Sequence, residues 1–243
     1  MNSNPNIDSL KQQLYNAEIA YSWEHKGYGG KYDRLGIWGM AIFVGCSIFG
    51  FFLFVLDDFT VDTPMFWIVF AFMTMMVLIT RYLYFPDKHR CYHLTTLGIH
   101  YTEQDMIPEV AYKIVRGFAW GGIVVCVIAV FLLGPLAFVG AGAFALMSFG
   151  MTNFQPTVDK CCLFIGERSV AFNLTNDGVM SFAIPEKGAH AFSGDIYISP
   201  EQKEVLLSHL RSIFPKIEVV EIKRLNDQYK HPVYQQDEES ATE

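Results

Sequence analysis

The residues best placed to do chemistry are His89, Cys91 and His93. On a strand, alternate residues share one face, so two imidazoles and a thiol could converge on a metal ion, with His100 as a fourth ligand from a partner strand. Short metal motifs more often use CxxC spacing, which this sequence lacks. Polar side chains along an interfacial strand are the plainer reading, and neither a metal nor a cofactor is assigned. Cys161 and Cys162 are neighbours, so on a strand they point to opposite faces. GxSxG, a Walker loop and a GxGxxG opening a helix are all absent. Gly27-Tyr28-Gly29-Gly30 has no Lys or Ser/Thr to hold a phosphate and reads as a linker. No catalytic residue is assigned, and the chain is expected not to be an enzyme.

The elements that would carry these residues are dominated by apolar runs. Of 243 residues, 51% are hydrophobic and 18% charged, against about 25% charged in a typical soluble domain. The charges avoid residues 35–56, 63–80 and 118–151 altogether. Such a chain is not disordered, collagen-like or a disulfide-stapled miniprotein; it reads as an integral membrane protein. Net charge is −7, with no basic stripe for nucleic acid and no polybasic cluster for anionic lipid. The 5 cysteines show no pairing pattern, which favours a reducing compartment for the polar parts.

A bilayer core of about 30 Å takes roughly 20 apolar residues as a helix. Leu35–Leu56, ending at Asp57 and Asp58, and Pro64–Phe85 fit as a first transmembrane hairpin over residues 35–85. Arg81 is expected to snorkel to the headgroups beside Tyr82 and Tyr84, with Trp38 and Trp67 as interfacial anchors at other helix ends. Gly134-Pro135 in the middle of 118–151 favours a second, tight hairpin over a single kinked helix. Lys and Arg before the first run and after the second place the N-terminus and residues 86–117 in the cytoplasm. With a second hairpin the C-terminus is cytoplasmic too. Ala41 and Gly45 in the first run, and Gly134, Ala137, Ala141 and Ala145 in the third region, are small residues at helical spacing, suited to close helix packing.

The polar segments complete the layout. Residues 8–21, within a cytosolic N-terminal segment 1–34, read as an amphipathic helix. Residues 86–117 start as a β-hairpin with Gly98 in its turn, and Pro108 then opens a helix that could run into the third apolar region. Residues 152–224 read as a cytosolic α+β domain. Its strands are expected near 163–165, 170–174, 179–184 and 216–223. Gly166–Ser169 and Asn176-Asp177-Gly178 are its turns. Ser199, Pro200 and Gln202 form the capping box of a helix. Residues 225–243 read as a disordered acidic tail. The expected fold class is therefore integral membrane α-helical, four short transmembrane helices as two hairpins, with a small cytosolic α+β domain.

Leu94-Thr95-x-x-Gly98-Ile99, the membrane hairpins, the short strands, and Phe182-Ala183-Ile184-Pro185 ahead of a Ser199-Pro200-Glu201-Gln202 helix start resemble the bacterial YcxB-like or pleckstrin-homology-like membrane proteins. A second hairpin interrupting the small domain departs from their usual layout. The resemblance implies a cytosolic β-rich interaction module rather than a catalyst.

No ionisable residue lies mid-run, which argues against an ion path through a monomer. The expected function is that of a non-enzymatic, multi-pass inner-membrane protein. Its cytosolic module would bind a protein partner or help assemble a membrane complex. The lipid bilayer and further copies of the chain are expected partners; nucleic acid is not. The alternatives are an oligomeric channel or small transporter, and envelope protection of the immunity or entry-exclusion type.

Overall fold

The computed structural model describes residues 5–30, 32–55, 60–134, 137–175, 177–185 and 192–234. Strand pairing joins segments far apart in the chain. β1 (Ile19–Gly27), β2 (Lys88–Thr95), β3 (Gly98–Asp105) and β4 (Val158–Phe164) form an antiparallel sheet in that order. A second sheet runs in the order β7 (Phe192–Tyr197), β6 (Val179–Ile184), β5 (Val170–Leu174), β8 (Glu218–Ile222), with β5 and β8 parallel and its other pairs antiparallel.

Helices fill the connections. α1 (Pro5–Asn16) precedes β1. α2 (Asp33–Val55) and α3 (Pro64–Ile79), the latter continued by a π turn over Thr80–Tyr84, connect β1 to β2. α4 (Glu109–Leu133) and α5 (Ala137–Met151) connect β3 to β4. Each pair thus leaves the first sheet and returns to it. α6 (Pro200–Ile213) lies between β7 and β8, and short 3-10 turns over Leu225–Lys230 and Pro232–Tyr234 close the described chain.

Alternation along the strands decides the core. Trp23, Tyr92, Leu94, Ile99 and Leu163 from the first sheet meet Ala171, Met180, Phe182 and Ile196 from the second, with Leu206, Leu207 and Leu210 of α6 in the same cluster. The Trp23 and Tyr92 rings stack 5.0 Å apart, and Trp23 Nε1 donates to the Tyr197 carbonyl at 3.0 Å, tying the sheets together. The other face of the second sheet buries Val170, Phe172, Ala183 and Ile222 under Val233 and Tyr234. A register shift between Ile19 and Tyr21 sets β1. Beyond it Trp23 stands opposite Tyr92 and Glu24 opposite Cys91. The indole therefore points inward and the carboxylate outward; a one-residue slip would exchange the two faces.

Gly98 is required by its turn. Its φ is +146°, and a Cβ there would lie 2.2 Å from the Leu163 carbonyl oxygen. Thr95 Oγ1 donates to the Gly98 carbonyl at 2.9 Å and closes the turn. Gly98→Ala is expected to destabilise the protein by about 2 kcal/mol, measured as a lower urea midpoint followed by tryptophan fluorescence.

The expected fold class is not the observed one. Two four-stranded sheets draw on the chain from Ile19 to Ile222, where an α-helical membrane class with one small α+β domain was expected. Three helical stretches, Asp33–Val55, Pro64–Tyr84 and Glu109–Leu132, are long and apolar enough to cross a membrane by length and composition. α5, at 15 residues, adds no fourth among the described residues. A four-helix transmembrane class is therefore not carried by the fold. Charge gaps and apolar content report local composition, and they are blind to pairing between strands separated by whole helical hairpins.

Local expectations fared unevenly. The amphipathic reading of 8–21 divides into α1 and β1. α1 lies on the first sheet, with Leu14 fully buried and Tyr15 OH donating to the Cys161 carbonyl at 3.2 Å. The strands at 170–174 and 179–184 form where expected, and α4 starts directly after Pro108. The Gly166–Ser169 turn forms, with Ser169 N donating to Gly166 O at 3.1 Å, but the strands it joins belong to different sheets. Pro200 opens α6, yet the Ser199 side chain makes no capping bond. Residues 225–234 are ordered turns on the second sheet, not tail. Residues 235–243, like Asp57, Asp58, Pro135 and Asn176, lie outside the described residues.

Candidate functional site

β1 and β2 present Glu24, His89 and Cys91 on the face of the first sheet turned away from the core. Glu24 Oε2 lies 3.2 Å from His89 Nε2, and Cys91 Sγ lies 3.6 Å from the same nitrogen. All three ligand atoms fall within 4.8 Å of one another. Lys26 Nζ approaches the same Glu24 oxygen at 3.9 Å. His93, expected beside His89 and Cys91, turns to His100 instead, with ring centroids 5.0 Å apart. Tyr15 of α1 covers His100 at 4.8 Å. Burial pushes the His100 pKa down, and His93 adds to the effect. The structure thus unites two of the three sequence candidates and adds Glu24. The missed signal was the aromatic–polar alternation of Tyr21-Ser22-Trp23-Glu24, which marks a strand. Cys161 and Cys162 do face opposite sides, across from Tyr101 and His100 respectively.

The inner face of the same strands carries a second polar group. Arg90, 7% exposed, donates from Nε to Glu103 Oε2 at 2.6 Å and from Nη1 to the Tyr28 carbonyl at 3.0 Å. Its guanidinium sits 4.5 Å over the Tyr197 ring. Lys88 pairs with the other Glu103 oxygen. Burial alone would raise the Glu103 pKa; the hydrogen bonds from Lys88 and Arg90 outweigh it and hold the carboxyl below its ordinary value. Beside this group opens a cleft of about 460 Å³, whose walls include Asp33, Asp177, Asp195, Tyr197, Lys223 and Arg224. Asp33 Oδ2 accepts from Gly30 N at 2.8 Å at the start of α2.

The helix residues picked from sequence are placed as follows. Ala41 and Gly45 are buried on α2, and a Cβ on Gly45 would meet Val77 Cγ2 at 2.4 Å, so α2 and α3 approach closely there. Gly134 ends α4 with φ +73°. Ala137, Ala141 and Ala145 all lie on α5, which packs against α4. Trp67 is exposed, with Nε1 donating to the Val61 carbonyl at 3.1 Å, and Tyr84 is exposed as well. Arg81 does not snorkel. It is 3% exposed. Its Nη2 donates to both Asp87 oxygens at 2.9 and 2.8 Å, and its Nη1 to the Phe85 carbonyl at 2.9 Å. The Trp38 and Tyr82 ring centroids lie 5.6 and 5.3 Å from the guanidinium. A carboxylate six residues on supplies the charge partner that headgroups or water would otherwise supply.

Over residues 1–241 the sequence matches the TsiV2 immunity protein family. The immunity protein TsiV2 of Vibrio cholerae serotype O1 is 35% identical over 232 residues, covering 95% of this chain and 96% of that protein. No solved structure matches. The match overturns the resemblance to YcxB-like or pleckstrin-homology-like proteins. That likeness rested on short runs that are here the β2–β3 turn and the end of β6, patterns any β-rich chain repeats. Immunity proteins of this type are not enzymes, which agrees with the non-catalytic reading, and their partner is a protein. With the match spanning both sheets and both helix pairs, the chain belongs to the TsiV2 immunity protein family.

Proposed function

We propose that the protein protects the cell that makes it by binding a cognate protein toxin. The family match over residues 1–241 is the observation that carries this reading. Two sheets sharing one core give a rigid body of the kind that docks with little backbone movement. Deleting the gene is expected to make cells sensitive to toxin-delivering siblings, lowering survival in co-culture by at least an order of magnitude. A plasmid copy should restore survival. Equal survival of deleted and parental cells against an active toxin would overturn the reading.

We infer the place of action from the helices. Phe54, Phe131 and Leu132 stand exposed on α2 and α4, Phe54 to 91%. Large apolar side chains left this exposed call for a covering. Lipid is the covering proposed: α2–α3 and α4–α5 each leave the first sheet and return to it, so both helix pairs enter lipid as hairpins and both sheets stay on one side, the cytoplasmic one that the flanking Lys and Arg residues favour. Retention in the pellet on alkaline carbonate extraction supports this; release into the supernatant overturns it.

A further inference from the structure

We propose that Glu24, His89 and Cys91 bind a zinc ion through three protein ligands, leaving a fourth position open. The inference is independent of the toxin-binding reading. It starts from register. Cys91 stands opposite Glu24 across β1–β2, His89 stands two residues from Cys91 on the same strand, and all three point off the core. Among the described residues, no other three side chains able to ligate a metal gather as closely.

Two of the three ligand separations fit the ion, and the third, Cys91 to Glu24, lies within 4.8 Å against about 3.6 Å in a tetrahedron, a gap the exposed Glu24 side chain closes by turning to the metal. Tetrahedral zinc holds sulfur at about 2.3 Å, imidazole nitrogen at about 2.0–2.1 Å and carboxylate oxygen at about 2.0–2.2 Å. These radii put sulfur and nitrogen about 3.6 Å apart, and nitrogen and oxygen about 3.4 Å apart. The corresponding separations here are 3.6 Å for Cys91–His89 and 3.2 Å for His89–Glu24. A thiolate with an imidazole suits zinc, whereas magnesium and calcium take oxygen ligands. On binding, Cys91 releases its proton to solvent and coordinates as thiolate. The ion replaces Lys26, 3.9 Å from Glu24, as the cation beside that carboxylate. The Glu24 and His89 side chains are 61% and 30% exposed, so the fourth position faces solvent and can take water.

Cobalt reports the site directly. The full chain, purified in detergent and stripped with chelator, is titrated with Co²⁺. The expected result is one cobalt per chain, with a near-ultraviolet thiolate charge-transfer band that added Zn²⁺ removes. Cys91→Ser should abolish that band. His89→Ala and Glu24→Gln should each weaken binding about 10–100-fold or more. His93→Ala should leave both band and affinity unchanged. These positions are at least partly open to solvent, so the substitutions are expected to leave the fold intact, checked by circular dichroism. A wild-type chain without the band, a band that survives Cys91→Ser, or one that His93→Ala removes would each overturn the assignment.

Discussion

Replacing Glu103 with alanine is expected to cost about 3–5 kcal/mol of stability, the range seen when one member of a buried ion pair is removed. Arg90 stays in place when its partner is gone. It is 7% exposed, held by the Tyr28 carbonyl and lying over the Tyr197 ring. Those two contacts cannot neutralise it, so its charge is left uncompensated beside the core. Glu103→Gln keeps the shape and one acceptor and should cost less. The acid side of the stability profile separates charge from shape. The Glu103 carboxyl is held below its ordinary value, because hydrogen bonds from Lys88 and Arg90 outweigh its burial. A carboxyl lowered in the folded state stabilises fully above its unfolded pKa of about 4.3, and that stability is lost as pH falls through the lowered folded value. Glu103→Gln should therefore show a flatter acid limb than the wild-type chain in urea titrations across that range. A loss below about 1 kcal/mol for Glu103→Ala, as for an exposed pair, would mean that solvent already screens Arg90.

How much of this was legible in the sequence depends on the range over which each signal acts. Short-range signals read well. The strands at 170–174 and 179–184, the turn glycine Gly98 and the helix opened by Pro108 all rest on neighbours a few residues apart. Long-range pairing did not read. β1 pairs with β2 across the whole α2–α3 pair, and β3 with β4 across α4–α5, so nothing near Trp23 announced that it would stack on Tyr92. The same gap explains the candidate site. His89 and Cys91 share a strand and were visible as a pair; Glu24 joins them only through a sheet register set by the shift at the start of β1. Arg81 failed for a related reason. Its apolar surroundings suggested an escape to the surface, while the deciding partner, Asp87, lay just past the helix end. The family itself was out of reach, since short strand motifs recur in unrelated folds and only a match along the full chain separates them.

Lys203→Met should destabilise the protein by roughly 3–5 kcal/mol, because it orphans up to three carbonyls at about 1–3 kcal/mol each. Lys203 is 7% exposed. Its Nζ donates to the carbonyls of Leu174 and Asp177 at 2.7 Å each and of Val179 at 3.3 Å. An ammonium has three donors, and here each finds an acceptor along the β5–β6 turn. Methionine keeps the stem and the packing of α6 but supplies none of these bonds. Arginine should not rescue the loss, since its planar fork cannot converge on three carbonyls around one point. The alkaline limb offers a second readout. Burial pushes the Lys203 pKa down, against the opposing pull of Asp177, Glu204 and Glu221. A lysine lowered in the folded state binds fewer protons there than in the unfolded chain. Stability should thus rise with pH between the lowered folded value and the unfolded value of about 10.4. That is opposite to the behaviour of a lysine raised by an ion pair, and Lys203→Met should lack the rise. The turn held by Lys203 carries Asp177 into the wall of the cleft beside Tyr197. If the cleft is part of the surface that meets the toxin, Lys203→Met cells should lose protection at temperatures where the folded chain still accumulates. Full protection with unchanged urea stability would show that water replaces the ammonium at little cost, and that the turn is held by its own strands.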